Sequence, residues 1–145
     1  MTNPSETTSP AFAPVSSTAE VLLTLPVEAD WLALARTTCA AVAARADFTY
    51  DEIADLRLAI DEICLSLIER SGDSGRIELL YSLADGAIRV NATIITTSLS
   101  VVPILDGSGN EFSERILEAL VDEHGAGFSD GRPHAWMTKH RAPTK

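Results

Sequence analysis

Side chains able to do chemistry are concentrated in three places along this sequence. The first is a run of carboxylates, Asp47, Asp51, Glu52, Asp55, Asp61 and Glu62, opposed within that stretch only by Arg57. Such a run is ordinarily a solvated face. It can also mimic nucleic-acid charge and steer a basic partner through its field. The second is Asp106-Gly107-Ser108-Gly109, a glycine-rich turn just ahead of an amphipathic segment. Free amides there, at a helix N-terminus, suit a phosphate, while Ser108-Gly109-Asn110-Glu111 equally fits a helix-capping box with no ligand. The third is the set of histidines, His124, His134 and His140, all within the last 22 residues. They lack ligand spacing and read as solvated or capping side chains.

The remaining nucleophiles are Cys39 and Cys64, each inside an apolar helical pattern. Buried, reduced, intracellular thiols are the reading this placement favours, with redox sensing as the alternative. Several familiar devices are missing from the sequence: a G-x-x-x-x-G-K-[ST] phosphate loop, a G-x-G-x-x-G turn, H-E-x-x-H and zinc-spaced Cys/His.

Composition narrows the function further. At 145 residues, with 46% hydrophobic and 22% charged, the chain reads as one globular domain. Eleven basic against 21 acidic residues leave a net charge of −10. That balance excludes a nucleic-acid groove, which needs lysine and arginine to displace counterions. It favours a basic protein partner instead. No apolar stretch approaches the ~20 residues of a membrane helix. The first basic residue is Arg36 and no apolar run follows it, so no secretory leader is expected and a cytoplasmic location is.

The elements that must position these residues follow from periodicity. Residues 1–18 hold eight Ser/Thr and three Pro, the composition of a disordered tail, which leaves residues 19–141 as the domain. Glu20 to Pro26 reads as a short strand. Asp30 then offers a cap for a helix over Trp31 to Ala46, with Trp31, Leu34, Ala35, Thr38, Cys39 and Val42 as its inner face. Seven alanines in that span raise helix propensity. Thr49-Tyr50-Asp51-Glu52 fits a capping box opening a second helix to about Arg70, where Gly72 stops it. Ile53, Leu56, Ile60, Ile63, Cys64 and Leu67 form its stripe.

The period then shifts to two. Arg76–Leu83 and Ala87–Ile95 predict a hairpin closed at Asp85-Gly86. Thr96 to Leu105 is open between strand and loop. A third helix turns Phe112, Ile116, Leu117, Leu120 and Val121 to the core and is closed by Gly125 and Gly127, ahead of a final strand around Ala135–Thr138. Paired strands beside grouped helices predict an α+β two-layer sandwich, with helices on one face of a mostly antiparallel sheet.

The run Phe48 to Ile68, with its Asp55-Leu56-Arg57-Leu58-Ala59-Ile60-Asp61-Glu62-Ile63-Cys64, resembles the helix that carries the first ATP-site motif in the anti-sigma branch of the GHKL (Bergerat-fold) ATPases. It is similar in particular to the mycobacterial-type anti-sigma-F factors, which carry a D-L-R-L-A-x-D-E-x-C run. The resemblance extends over Ala19 to Met137. That branch comprises serine kinases that regulate sigma factors, and its motif is Glu-x-x-x-Asn. Carried over, Glu62 falls on the catalytic glutamate and Ser66 on the asparagine that holds Mg²⁺. A spacing of four turns both side chains to within about 40° on one helical face. Serine is a departure, being shorter and weaker toward a hard cation. Glu62 also lies about 140° from the apolar stripe, so a solvated outer charge is its structural alternative.

The second family motif, Asp-x-Gly-x-Gly after a strand, has no counterpart in Thr93–Leu99. Gly107 and Gly109 fall roughly where the family has its lid glycines, without accompanying basic residues. The resemblance therefore implies a degenerate nucleotide site: no cofactor is required, and ATP with Mg²⁺, held at Ser66, is the exception to be tested. It further implies a homodimer in which Arg36, on the first helix, meets a sigma factor and an anti-anti-sigma antagonist, without direct contact to nucleic acid or membrane. A surface arginine without a partner is the alternative for Arg36. The leading functional expectation is an anti-sigma factor. An active serine kinase of the antagonist, and a scaffold domain for an unrelated protein partner, are the rivals.

Overall fold

A computed structural model of the chain describes residues 19–71, 75–96 and 110–143. The elements are β1 (Ala19–Pro26), a 3₁₀ turn (Ala29–Trp31), α1 (Leu32–Arg45), α2 (Tyr50–Ser71), β2 (Arg76–Ala84), β3 (Ala87–Ile95), α3 (Asn110–Leu120), β4 (Glu123–Ser129) and β5 (Arg132–His140). The strands form one antiparallel sheet in the order β1-β2-β3-β5-β4. The helices pack over one face, giving the two-layer α+β sandwich expected of a GHKL-like fold.

Strand alternation sets the core. Ile77, Leu79 and Tyr81 of β2 and Ile88, Val90, Ala92 and Ile94 of β3 are fully buried under the helices. They meet Leu56, Ala59, Ile60, Ile63, Cys64 and Leu67 of α2, and Ala35, Cys39 and Val42 of α1. Tyr81 reaches through this layer and its hydroxyl donates to the Ala35 carbonyl at 2.9 Å, which satisfies a buried polar group. The capping box of α2 is present in both directions. The Thr49 amide donates to Glu52 Oε1 at 2.7 Å and the Glu52 amide to Thr49 Oγ1 at 3.1 Å. Both hairpins turn on Asp-Gly, at residues 85–86 and 130–131. All four residues have positive φ, between 48° and 76°, as the two-residue turn requires.

Four local expectations are corrected. Asp30 lies in the 3₁₀ turn and does not cap α1, whose first flanking residue, Trp31, makes no side-chain cap bond. Trp31 and Leu34 are exposed, and the inner face of α1 is Leu32, Ala35, Cys39, Val42 and Ala43. The 3₁₀ turn shifts the phase of the stripe, and an alanine-rich helix presents several nearly equivalent apolar faces. Phe112 is 71% exposed, because it sits about 140° around α3 from the buried Leu117. Gly125 and Gly127 do not close α3; they belong to β4, a strand absent from the expected order. Residues 1–18, Gly72, Asp106–Gly109 and residues 97–105 lie outside the described residues.

Candidate functional site

α2 is the middle helix, and two successive acids tie it to its neighbours. Asp61 receives the guanidinium of Arg36 from α1, Nη1 to Oδ1 at 2.7 Å, with about a third of each side chain exposed. Glu62, ~100° further round the helix, accepts a hydrogen bond from the Ser113 hydroxyl of α3. The stripe that buries Ile60, Ile63 and Cys64 dictates this division. With that face fixed to the sheet, Asp61 and Glu62 must leave toward opposite flanks.

On the α3 flank, the chain leaves a cleft of about 340 Å³, within the range of small-ligand sites. Glu62, Ser66 and Arg70 of α2 line it at successive four-residue steps, facing Ser113, Glu114 and Leu117 of α3. His124, Gly125 and Ala126 of β4 form its floor with Ala135 of β5. Glu62 and Ser66 are thus brought into one cleft, as their spacing requires, and both are half-buried. Arg36 belongs to the other flank, held by Asp61. Gly107 and Gly109 lie outside the described residues.

The cleft can hold polar ligands through one guanidinium, two hydroxyls and an imidazole, against the carboxylates of Glu62 and Glu114. It contains no thiol. Cys39 and Cys64 are fully buried and free. Burial pushes the Cys39 thiol up to about 12. Cys64 is pushed higher still, by burial first and then by Asp61 and Cys39. Neither has the thiolate character of a nucleophile. Among the described residues, no group of three His, Cys, Asp or Glu is placed to hold a metal ion.

Sequence reasoning missed Arg70, Ser113, Glu114 and His124 as cleft residues. Arg70 was open to detection, as the next member of the four-residue row from Glu62 and Ser66. Ser113 was not, since its partner stands 51 positions away and only the packing of α3 joins them. His124 was hidden by the reading of its segment as a helix end.

The chain matches no described protein-family profile. It is 31% identical over 75 residues to serine-protein kinase RsbW of Bacillus cereus (strain B4264), covering 50% of this chain and 47% of that one. The RsbW proteins of Bacillus thuringiensis (strain Al Hakam) and Bacillus anthracis (strain A0248) are each 30% identical over 73 residues, with 49% and 46% covered. About half of the chain is thus similar to the RsbW serine-protein kinases. The chain spans about half the length of the curated relatives it matches. This similarity to RsbW agrees with the GHKL-like sandwich and with the resemblance carried by α2. Among the described residues, no helix is long and apolar enough to cross a membrane.

Proposed function

We propose that the chain is an anti-sigma factor, which binds and sequesters an alternative RNA polymerase sigma factor until an anti-anti-sigma antagonist competes it away. The observation that carries this reading is the state of the α2–α3 cleft. Ser66 stands at the position where the resemblance implies a magnesium-holding asparagine, and Glu62 is engaged by Ser113. A nucleotide–magnesium pair fits this donor set poorly. Mg²⁺ demands a near-octahedral shell of hard oxygens, to which a serine hydroxyl adds little. Two carboxylates, Glu62 and Glu114, oppose a triphosphate in the same cleft, against the single guanidinium of Arg70. Phosphoryl transfer relies on positioning and charge neutralisation, so the protein works by capture and requires no cofactor. It does so as a cytoplasmic homodimer with Arg36 on its partner-facing surface, touching neither nucleic acid nor membrane directly.

Purified chain mixed with the sigma factors of its source organism is expected to co-elute with one of them and to lower transcription from that factor's promoters. Failure of both overturns the reading.

One observation favours a second reading, an active serine kinase of the antagonist: Glu62 and Ser66 do share a cleft, and the relatives are named kinases. Calorimetry with ATP and MgCl₂ separates the two. Micromolar, magnesium-dependent binding that is weakened by Glu62→Ala supports the kinase, and absence of heat leaves the binder.

A further inference from the structure

α2 carries a line of outward residues that neither neighbour covers. Leu58 is 57% exposed and Leu65 39% exposed. They are seven positions apart, so they stand ~10 Å along the axis and within about 20° of the same line. Asp51, Ala54 and Glu69 continue that line at three- and four-residue steps, and all three are exposed. The line is therefore an apolar centre with an acid at each end. Asp61 and Glu62 flank it between the two leucines, each drawn to its own side by Arg36 or Ser113. These two ties link α2 to α1 on one side and to α3 on the other. On α1, Ala33, Ala41 and Ala44 are exposed and short, and Leu34, 45% exposed, and Thr37 are the larger exposed side chains among them.

We infer that this exposed line of α2, centred on Leu58 and Leu65, is a docking surface for a basic amphipathic helix of the captured protein; the inference rests on the capture reading and says where and by what chemistry the partner is held. Leucines at i and i+7 match the anchor spacing of helix-on-helix recognition. Charge selects the guest. Asp51, Asp61, Glu62 and Glu69 surround the leucines, with Arg57 and Arg36 as the nearby cations, and Arg36 already pairs with Asp61. A helix with lysine or arginine beside its apolar stripe gains from this rim, whereas an acidic helix is repelled. The pattern separates two contributions. The leucines supply contact area and slow dissociation, and the acids supply steering and salt dependence.

The test uses the full chain and the sigma factor that the wild type captures. Leu58→Asp/Leu65→Asp is expected to weaken capture at least tenfold with an unchanged circular dichroism spectrum, since both sites are exposed. Leu58→Gln/Leu65→Gln, without added charge, is expected to weaken it less but clearly. Asp51→Lys/Glu69→Lys is expected to slow association several-fold and flatten its salt dependence. Unchanged capture by the leucine variants overturns the assignment and leaves the capture reading standing. So does a shift from dimer to monomer in those variants with capture intact, which makes the line a contact between copies. A wild-type chain that captures no sigma factor removes both.

Discussion

Arg36 of α1 is bound to Asp61 of α2, with Nη1 2.7 Å from Oδ1. The residue expected from sequence to face a partner is thus already in use inside the helical layer. The two roles are compatible, because about a third of its side chain remains exposed and a guanidinium has more donors than one carboxylate oxygen uses. A pair this accessible is screened by solvent, so its coupling in a double-mutant cycle of Arg36→Ala and Asp61→Ala is expected at roughly 0.5–1 kcal/mol. Sigma-factor capture should respond differently. Arg36→Ala is expected to weaken it about tenfold or more, as interface arginines do, while Asp61→Asn, which releases the guanidinium but removes one acid of the docking rim, should weaken it only a few-fold. Equal loss in both variants would assign Arg36 a purely structural role.

The thiols give a second expectation. Cys39 and Cys64 are fully buried and their ionisation is pushed up by that burial, Cys39 to about 12. Thiolate is therefore scarce at pH 8 and reagent access requires opening of the core. Labelling by a disulfide reagent should be at least ~100-fold slower in the native chain than in denaturant, with both thiols appearing together. Rapid labelling of one cysteine in the native state would reopen a redox role.

Much of this architecture is legible in the sequence where a local signal suffices. The Thr49–Glu52 box, the α2 stripe and the Asp85-Gly86 hairpin each rest on residues within one or two turns of each other, and each forms as read. The phase of α1 was not legible, because alanine makes its faces alike. β4 was obscured by Gly125 and Gly127, which break the alternation of a strand, although Asp130-Gly131 repeats the turn signal of the first hairpin. In the site, the i, i+4 row of Glu62 and Ser66 was readable. The ties from Arg36 and Ser113 span 25 and 51 positions and arise only from packing.

Acid should weaken the fold in two separate windows. His134 is buried beside Arg89, and burial first, then that charge, hold its imidazole below the ordinary 6.5. The unfolded chain then takes up a proton that the folded chain refuses, so stability is lost as pH falls from about 6.5 through the lowered folded value. Glu52 follows at lower pH. Burial raises its carboxyl somewhat, but hydrogen bonds from the amides of Thr49 and Ala142 and from the Thr49 hydroxyl outweigh this and lower it below 4.5. Its contribution is present above 4.5 and lost as pH falls through the lowered value. Denaturation midpoints from pH 8 to 3 should fall in two stages, and Glu52→Gln should remove the lower one. An imidazole signal of His134 with a midpoint above 6.5 would contradict the assignment.

Gly125 makes the last prediction, because it links the cleft to the opposite face of the sheet. It pairs with Trp136 across β4 and β5, and a Cβ placed on it would stand 2.6 Å from the indole nitrogen. Trp136 lies over this glycine, with the Arg89 guanidinium 4.9 Å from its ring centre. The nearest obstruction is a rigid ring, held in place by that stacking, so relief requires the indole to turn. Gly125→Ala is therefore expected to destabilise the chain by roughly 1–3 kcal/mol, the range for overpacked sites. The displaced ring should change tryptophan fluorescence, and Arg89→Ala, which frees the ring, should reduce the penalty of the glycine change in a double-mutant cycle. Additive effects of the two substitutions would mean that the indole yields without help and that Gly125 is small for some other reason.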